Sequence, residues 1–265
     1  MRRIAVVVLS TLVATGVASI AGAQTPARMS PLEAAAPESG DQSSPGADGS
    51  GTGRFLRDVA GDYKHFFSID TAVWLGVGGA AALAVHPADN ALRDDTQGPT
   101  GPDTNLGGGA QYGEFYTQVP LALVWWMIGH AADSENGAAT GRDLLRAQIS
   151  AASWTYLAKY SVNRTRPNGD PRSFPSGHAS ATFATAIVVE EHYGWKLGLP
   201  FFAAAAYTGI SRIADNKHWA SDVVFGAFLG VASGRTVTVR LRGKKVAVSP
   251  WAVPGGAGIV LLAGE

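Results

Sequence analysis

Several stretches between residues 54 and 235 carry no charge at all, among them Thr71–Ala88, Phe115–Ala132, Ser173–Val189, Leu197–Ser211 and Val223–Gly234. None exceeds 18 residues, and several contain Pro, His or more than one Gly. A membrane span needs about 20 predominantly apolar residues. The runs fit the buried helices of a bundle, so the sequence predicts a soluble or membrane-associated domain rather than a polytopic one. The residues between them agree. Phe55, Leu56, Val59, Tyr63, Phe66 and Phe67 recur at helical spacing. An apolar segment over Ala72–Val85 should end at His86-Pro87, because the residue before proline avoids helical geometry. Residues 86–109, rich in Asp, Gly and Pro, read as loop.

Further helices are expected over about Gly113–Ala132 and Ala138–Val162, the second with Leu145, Ile149, Ala152, Tyr156 and Tyr160 in one stripe. Others should run from Ser176-Gly177-His178 to Tyr193, from Trp195 to Ile213 and from Lys217 to Gly234. Val237, Val239 and Leu241 then alternate with polar residues. After Gly243 and two lysines, Val246 and Val248 alternate again, which reads as a β-hairpin. The expected fold is therefore an all-α helical bundle over residues 54–235, with a small β tail over 236–265.

The N-terminus reads differently. Arg2 and Arg3 precede an apolar run from Ile4 to Ile20, and Ala21-Gly22-Ala23 has the small-x-small form of a cleavage site. Residues 1–23 are expected to be a secretory signal; the other reading of the same pattern is an uncleaved anchor. Residues 24–53 are dominated by Pro, Gly, Ser and Ala, with Met29 and Leu32 as their large apolar side chains. Such a segment cannot bury enough surface to order itself and reads as a disordered linker. Cysteine is absent, which excludes disulfides, a thiolate nucleophile and a cysteine metal site. Charged residues make up 16% of the chain and net charge is zero, so nothing points to nucleic acid.

The chemistry-bearing residues fall in three blocks. His218 and Asp222 are four apart in an expected helix, where a carboxylate can take the imidazole Nδ1 proton and free Nε2 as nucleophile or base. Arg212, six residues earlier, can meet a phosphate with two parallel hydrogen bonds. Pro175-Ser176-Gly177-His178 opens an apolar helix: the serine is a good N-cap, the glycine allows close approach, and free N–H groups face any anion. Lys159 and Arg166 are seven apart, about two helical turns, with Pro167 ending the helix. Arg164 and Arg172 read as a solvated face. Each block alone is ordinary: a surface pair, a capped helix, a solvated helix end.

Together, Lys-x6-Arg-Pro, Pro-Ser-Gly-His and Ser-Arg-x5-His-x3-Asp resemble the type 2 phosphatidic acid phosphatase superfamily, which includes bacterial acid phosphatases and vanadate-dependent haloperoxidases. The resemblance spans Lys159–Asp222, and seven residues separate Pro167 from Pro175, a tight loop over the site. It implies that His218 attacks phosphorus, Asp222 orients it, and His178 protonates the leaving oxygen and then activates water. It further implies that Lys159, Arg166 and Arg212 bind phosphate oxygens, with Ser176 and Gly177 adding donors, and that no metal or other cofactor is required. The substrate would be a phosphorylated small molecule or a lipid phosphate or diphosphate, with membrane surface contact.

Two rival readings stand beside this: a vanadate-dependent haloperoxidase, since vanadate copies phosphate geometry, and a non-catalytic phospholipid-binding module. Elsewhere, Glu190, Glu191 and His192 could ligate a metal but read better as a solvated helix end. Asp89, Asp94 and Asp95 read as a solvated loop rather than a lid. Trp125-Trp126 reads as packing rather than a ligand platform.

Overall fold

The computed structural model describes residues 51–97, 107–242, 246–253 and 256–263. Among them the order is α1 (Gly51–Phe66), α2 (Ile69–Val85), a 3-10 turn (His86–Ala88), α3 (Asp89–Gln97), α4 (Gly107–Tyr112), α5 (Phe115–Ala131), α6 (Glu135–Val162), α7 (Gly177–Tyr193), α8 (Trp195–Ala214) and α9 (Ala220–Arg242). Strand β1 (Val246–Val253) then pairs antiparallel with β2 (Gly256–Ala263). The fold is all-α with a C-terminal hairpin. The expected signal and nearly all of the expected linker lie outside the described residues, and residues 51–53 open α1.

Helix α7 is the centre of the bundle: every residue from Ala179 to Val189 is buried. A helix apolar or small on all sides can be surrounded on all sides, and α6, α8 and α9 enclose this one. Its hydroxyls are matched one by one. Ser180 Oγ lies 2.7 Å from Thr155 Oγ1 of α6, and Thr185 Oγ1 donates to Gln118 Oε1 of α5 at 2.6 Å. Gln148 meets Ala181 and Thr185 while Thr155 meets Ser180, so α6 runs antiparallel to α7.

Helix α9 runs parallel to α7 and much closer. A Cβ on Gly226 would stand 2.5 Å from Ser176 O, one on Gly230 2.3 Å from Ser180 O, and one on Gly234 2.2 Å from Ile187 Cγ2. Glycine every fourth residue on one face lets the two backbones touch. The consequence for function is direct: the N-termini of α7 and α9 meet, with Ser176 N–H donating to Asp222 O at 3.0 Å. Gly230→Ala is expected to cost roughly 2 kcal/mol, because overpacking against a backbone carbonyl outweighs the ~1 kcal/mol that alanine gains in a helix. A lower denaturant midpoint checks this; an unchanged or raised one contradicts it.

Three expectations are corrected. Residues 86–109 are not simply loop: the described part holds the 3-10 turn, α3 and α4. Proline at the start of a helical turn needs no N–H, so Pro87 opens the 3-10 turn and His86 stays helical at φ −49°, ψ −42°. Helical structure therefore continues through the expected break, and Ile69–Gln97 is long and apolar enough to cross a membrane. The hairpin is displaced toward the C-terminus. Val237, Val239 and Leu241 continue α9, where Val237 is fully buried, and the strands lie at 246–253 and 256–263.

The third correction concerns Glu190, Glu191 and His192, which are not solvated. The His192 side chain is buried, with Nε2 3.0 Å from Asp143 Oδ2 and Nδ1 2.9 Å from Asn136 Oδ1. Arg146 donates to Asp143 and, through two nitrogens, to Asp62. Glu191 accepts from Arg235 at 3.1 Å. This polar cluster ties α1, α6 and α7 together at the end of the bundle opposite Ser176. Among the described residues no group of three or more His, Asp and Glu is arranged to hold a metal ion. Trp125 packs as expected, 5.8 Å from Tyr193 and 6.0 Å from Phe201 between ring centroids. Large apolar side chains remain exposed on α2 (Ile69, Val73, Val77), α5 (Leu123, Met127, Ile128) and α8 (Leu199, Tyr207, Ile210).

Candidate active site

The antiparallel and parallel pairings bring the C-termini of α6 and α8 to the same end of the bundle as the N-termini of α7 and α9. A cavity of about 500 Å³ opens there. Lys159, Arg166, Gly177, His178, Arg212 and His218 all line it. These residues span sixty positions of sequence, and each arrives by its own local device.

Lys159 sits in the last turn of α6. The helix ends at Val162, and Asn163 takes the left-handed conformation at φ 48° and returns its N–H to Lys159 O, an αL cap of the kind asparagine tolerates. Arg166 is therefore not on the helix with Lys159, as its spacing suggested. It is carried by a loop that folds on itself, with Arg166 N–H donating to Asp170 O at 2.8 Å and Ser173 N–H to Arg164 O at 2.7 Å. Lys159 Nζ donates to Arg172 O at 2.8 Å, which ties the loop to the helix. Burial first, then the Arg166 charge, lowers the Lys159 ammonium to about 8, with Asp222 opposing.

Ser176 caps α7 by accepting from Ala179 N–H. It does not line the cavity: its hydroxyl is spent behind the wall, and Gly177 and His178 are the residues of this block at the surface. A Cβ on Gly177 would meet Thr155 Cγ2 at an ordinary 3.5 Å, so packing does not demand glycine there. An open approach to the helix N-terminus is what the glycine leaves. Arg212, in the last turn of α8, pairs with Asp215 at 3.1 Å, yet its Nε is buried with no hydrogen-bond partner among the described residues. A guanidinium with a spare buried donor at a cavity wall suits an anion.

His218 is not on a helix with Asp222. It lies in the turn before α9, and its N–H and that of Lys217 both donate to Arg212 O. That turn fixes His218 beside the guanidinium. Asp222 Oδ2 stands 3.9 Å from His218 Nδ1, a contact longer than a hydrogen bond. Burial dominates the imidazole and pushes its pKa down to about 4; the Asp222 carboxylate opposes this, and Lys159 and Arg166 reinforce it. His218 is thus neutral near pH 7 with a free electron pair.

Asp222 is also a helix device. Sitting three residues into α9, it accepts from Trp219 N–H at 3.0 Å, the acidic half of a capping box. It accepts from Ser173 Oγ and from Arg164 Nη1 as well. Burial works against its charge, but these bonds and the His218 contact hold its carboxyl below the usual range.

Two residues read from sequence as solvated belong to this support. Arg164 bridges Asp222 and Asp89, donating at 2.7 and 2.8 Å. Asp89 is 3% exposed and also accepts from the N–H and hydroxyl of Ser221. Their partners lie 58 to 132 positions away along the chain, so no local pattern signals them. Arg172 stacks over Tyr160 at 4.9 Å and also lines the cavity. A third unforeseen residue, Glu114, places Oε1 3.1 Å from His178 Nε2.

The family model of the PAP2 superfamily matches residues 142–245, which include every motif block. That segment is similar to the PAP2 superfamily. The chain is 44% identical over 80 residues to the lipid A 1-phosphatase of Porphyromonas gingivalis, covering 29% of this chain and 18% of that protein. It is 34% identical over 79 residues to the lipid A 4'-phosphatase of Helicobacter pylori, covering 30% and 40%. The aligned stretches thus span less than half of each of these relatives. In fold, the chain is similar to a transmembrane PAP2-type phosphatidylglycerolphosphate phosphatase from Bacillus subtilis, with a TM-score of 0.53 at 19% identity, covering 68% of this chain and 95% of that one.

Proposed function

We propose that this chain is an exported lipid phosphate phosphatase working through a phosphohistidine on His218. The observation that carries the reading is the shared cavity: two imidazoles, two lysines and three arginines line one space, Lys159, Arg166 and Arg212 among them. The PAP2 segment and its lipid A phosphatase relatives support the reaction class. The exposed apolar faces of α2, α5 and α8 and the apolar run through α2 favour a lipid substrate and membrane contact. We assign residues 1–23 to an export signal, the segment from 24 to the start of α1 to a linker, α1 through α9 to the catalytic domain and the β-hairpin after them to the tail.

The residues divide the work as follows. Lys159, Arg166 and Arg212 hold the phosphoryl oxygens, and the Gly177 end of α7 adds backbone donors. A transferring phosphoryl group spreads charge over its equatorial oxygens, so fixed cations in a partly dry cavity stabilise the transition state. Neutral His218 supplies the electron pair that bonds to phosphorus. As the ester P–O bond breaks, His178 gives its proton to the departing oxygen. In the second step His178 takes a proton from water, the water oxygen bonds to phosphorus, and the P–N bond returns its electrons to His218. Asp222, fixed by Arg164, Ser173 and Trp219, offsets the positive charge that His218 acquires while it is phosphorylated.

The test is phosphate release by the purified chain from phosphatidate in mixed micelles, phosphatidylglycerophosphate, undecaprenyl diphosphate and an aryl phosphate. Turnover of at least one lipid phosphate, inhibited by vanadate, is expected. Binding without release across the panel, or oxidation of bromide when vanadate and peroxide are added, contradicts the proposal.

A further inference from the structure

Glu114 lies outside the PAP2 segment and outside every motif block. It occupies the N-cap position of α5 in an extended conformation, φ −73° and ψ 144°, yet makes no cap hydrogen bond. N-caps are normally short side chains that fold back onto the helix. This longer one reaches away, to His178.

The turn that delivers it is clamped on two sides. Gln118 Nε2 donates to Tyr112 O at 2.5 Å, and Gln118 Oε1 accepts from Thr185 Oγ1 of α7 at 2.6 Å. Thr208 Oγ1 of α8 donates to Gly109 O at 3.0 Å. Between these anchors, Gly113 lets the chain press against the histidine: a Cβ there would stand 2.8 Å from His178 Cβ and 2.6 Å from Thr208 Cγ2. These buried and partly buried hydrogen bonds fix the turn that carries Glu114. The same helix, α7, carries both His178 and the hydroxyl that anchors the turn.

We propose that Glu114 is a positioning residue that orients His178 through Nε2 and favours its protonated form against the surrounding cations, leaving its other ring nitrogen to deliver the proton to the leaving oxygen. The proposal rests on the phosphatase reading above. In the first step the ester oxygen takes the P–O electron pair and the His178 proton, and His178 becomes neutral. In the second, the proton removed from water restores the imidazolium. Glu114 stays a carboxylate throughout, so no further acid or base is needed.

The surroundings of His178 explain why it needs such a partner. Burial comes first, then Arg212 from α8, and Lys159 from α6 adds to them; all three favour the neutral ring, which lies below the ordinary histidine range. Arg166 and His218 share the cavity. Glu114 opposes them by charge and by hydrogen bond. An acid must hold its proton at working pH to be useful.

The experiment is Glu114→Gln in the full chain, which keeps shape and an acceptor oxygen but removes the charge. The alkaline limb of kcat/KM is expected to move down by about one pH unit or more. Hydrolysis of phosphatidate, a poor leaving group, should fall about 10-fold or more at pH 7, while p-nitrophenyl phosphate loses less than about 3-fold. In a His178→Ala background the same substitution should add nothing, since it acts through His178. An unmoved limb, equal losses on both substrates, or additive losses in the double variant overturn the proposal. Imidazole titration by NMR reads it without turnover: the His178 pKa should fall in Glu114→Gln, and an unchanged value also overturns it. A wild-type chain that binds but never releases phosphate would sink the functional reading, while the titration would still decide the role of Glu114.

Discussion

Replacing His218 by alanine is expected to lower kcat/KM by at least about 1,000-fold with the fold retained, because the group that forms the covalent bond is gone. The far-ultraviolet circular dichroism and melting of the variant should stay close to wild type, since the turn before α9 is held by backbone bonds to Arg212 O rather than by the imidazole. The wild-type pH profile carries the same residue. An ordinary histidine would lose nucleophilicity below about 6.5. His218, pushed down to about 4 by burial, with Lys159 and Arg166 adding to it, keeps its electron pair well into the acid range. The sign is fixed: as pH rises through about 4 the imidazole loses its proton and kcat/KM rises. An acid limb near 6.5, or a His218→Ala variant with near-normal turnover, contradicts the assignment.

The second large effect belongs to His178. His178→Ala should slow turnover by about 10²- to 10⁴-fold on substrates with poor leaving groups, the range that a positioned general acid supplies. With an activated aryl phosphate the leaving oxygen departs without help, and the first step should be nearly unaffected. The second step still needs a base for water, so with aryl phosphates the variant should accumulate phosphoenzyme. A release burst of one equivalent of phenol per enzyme, followed by slow turnover, reads this directly. Equal losses on alkyl and aryl substrates, with no burst, would show that His178 only shapes the cavity.

How much of this was legible in the sequence depends on how far each partner lies along the chain. The helical elements from α5 to α8 follow from apolar periodicity and were read within a few residues, and the capping roles of Ser176 and the end of α6 near Lys159 are local. The set Lys159, Arg166, Gly177, His178, Arg212 and His218 was legible because it sits in three short motifs. Spacing alone misjudged how they are carried. Arg166 and His218 stand on turns rather than helices, since Asn163 ends α6 early and α9 starts only at Ala220.

What was not legible is the support behind them. Arg164 finds Asp89 across 75 positions, and Glu114 finds His178 across 64. A lone arginine or glutamate gives no hint of a partner that only the fold supplies. The tail shows a different failure. Thr236 to Leu241 alternates with period two, yet the glycine stripe on α9 packs that helix tightly against α7 and the helix continues past the alternation. Packing overrides a short β-like pattern.

The most direct test of the central claim is to trap the intermediate. Wild-type enzyme mixed with ³²P-labelled substrate and quenched in alkali within milliseconds should carry label, because phosphohistidine survives alkali and is lost in acid. The account predicts that the labelled peptide contains His218 and that the label is absent from His218→Ala. Steady turnover without any alkali-stable label, or label on a peptide that lacks His218, would contradict it.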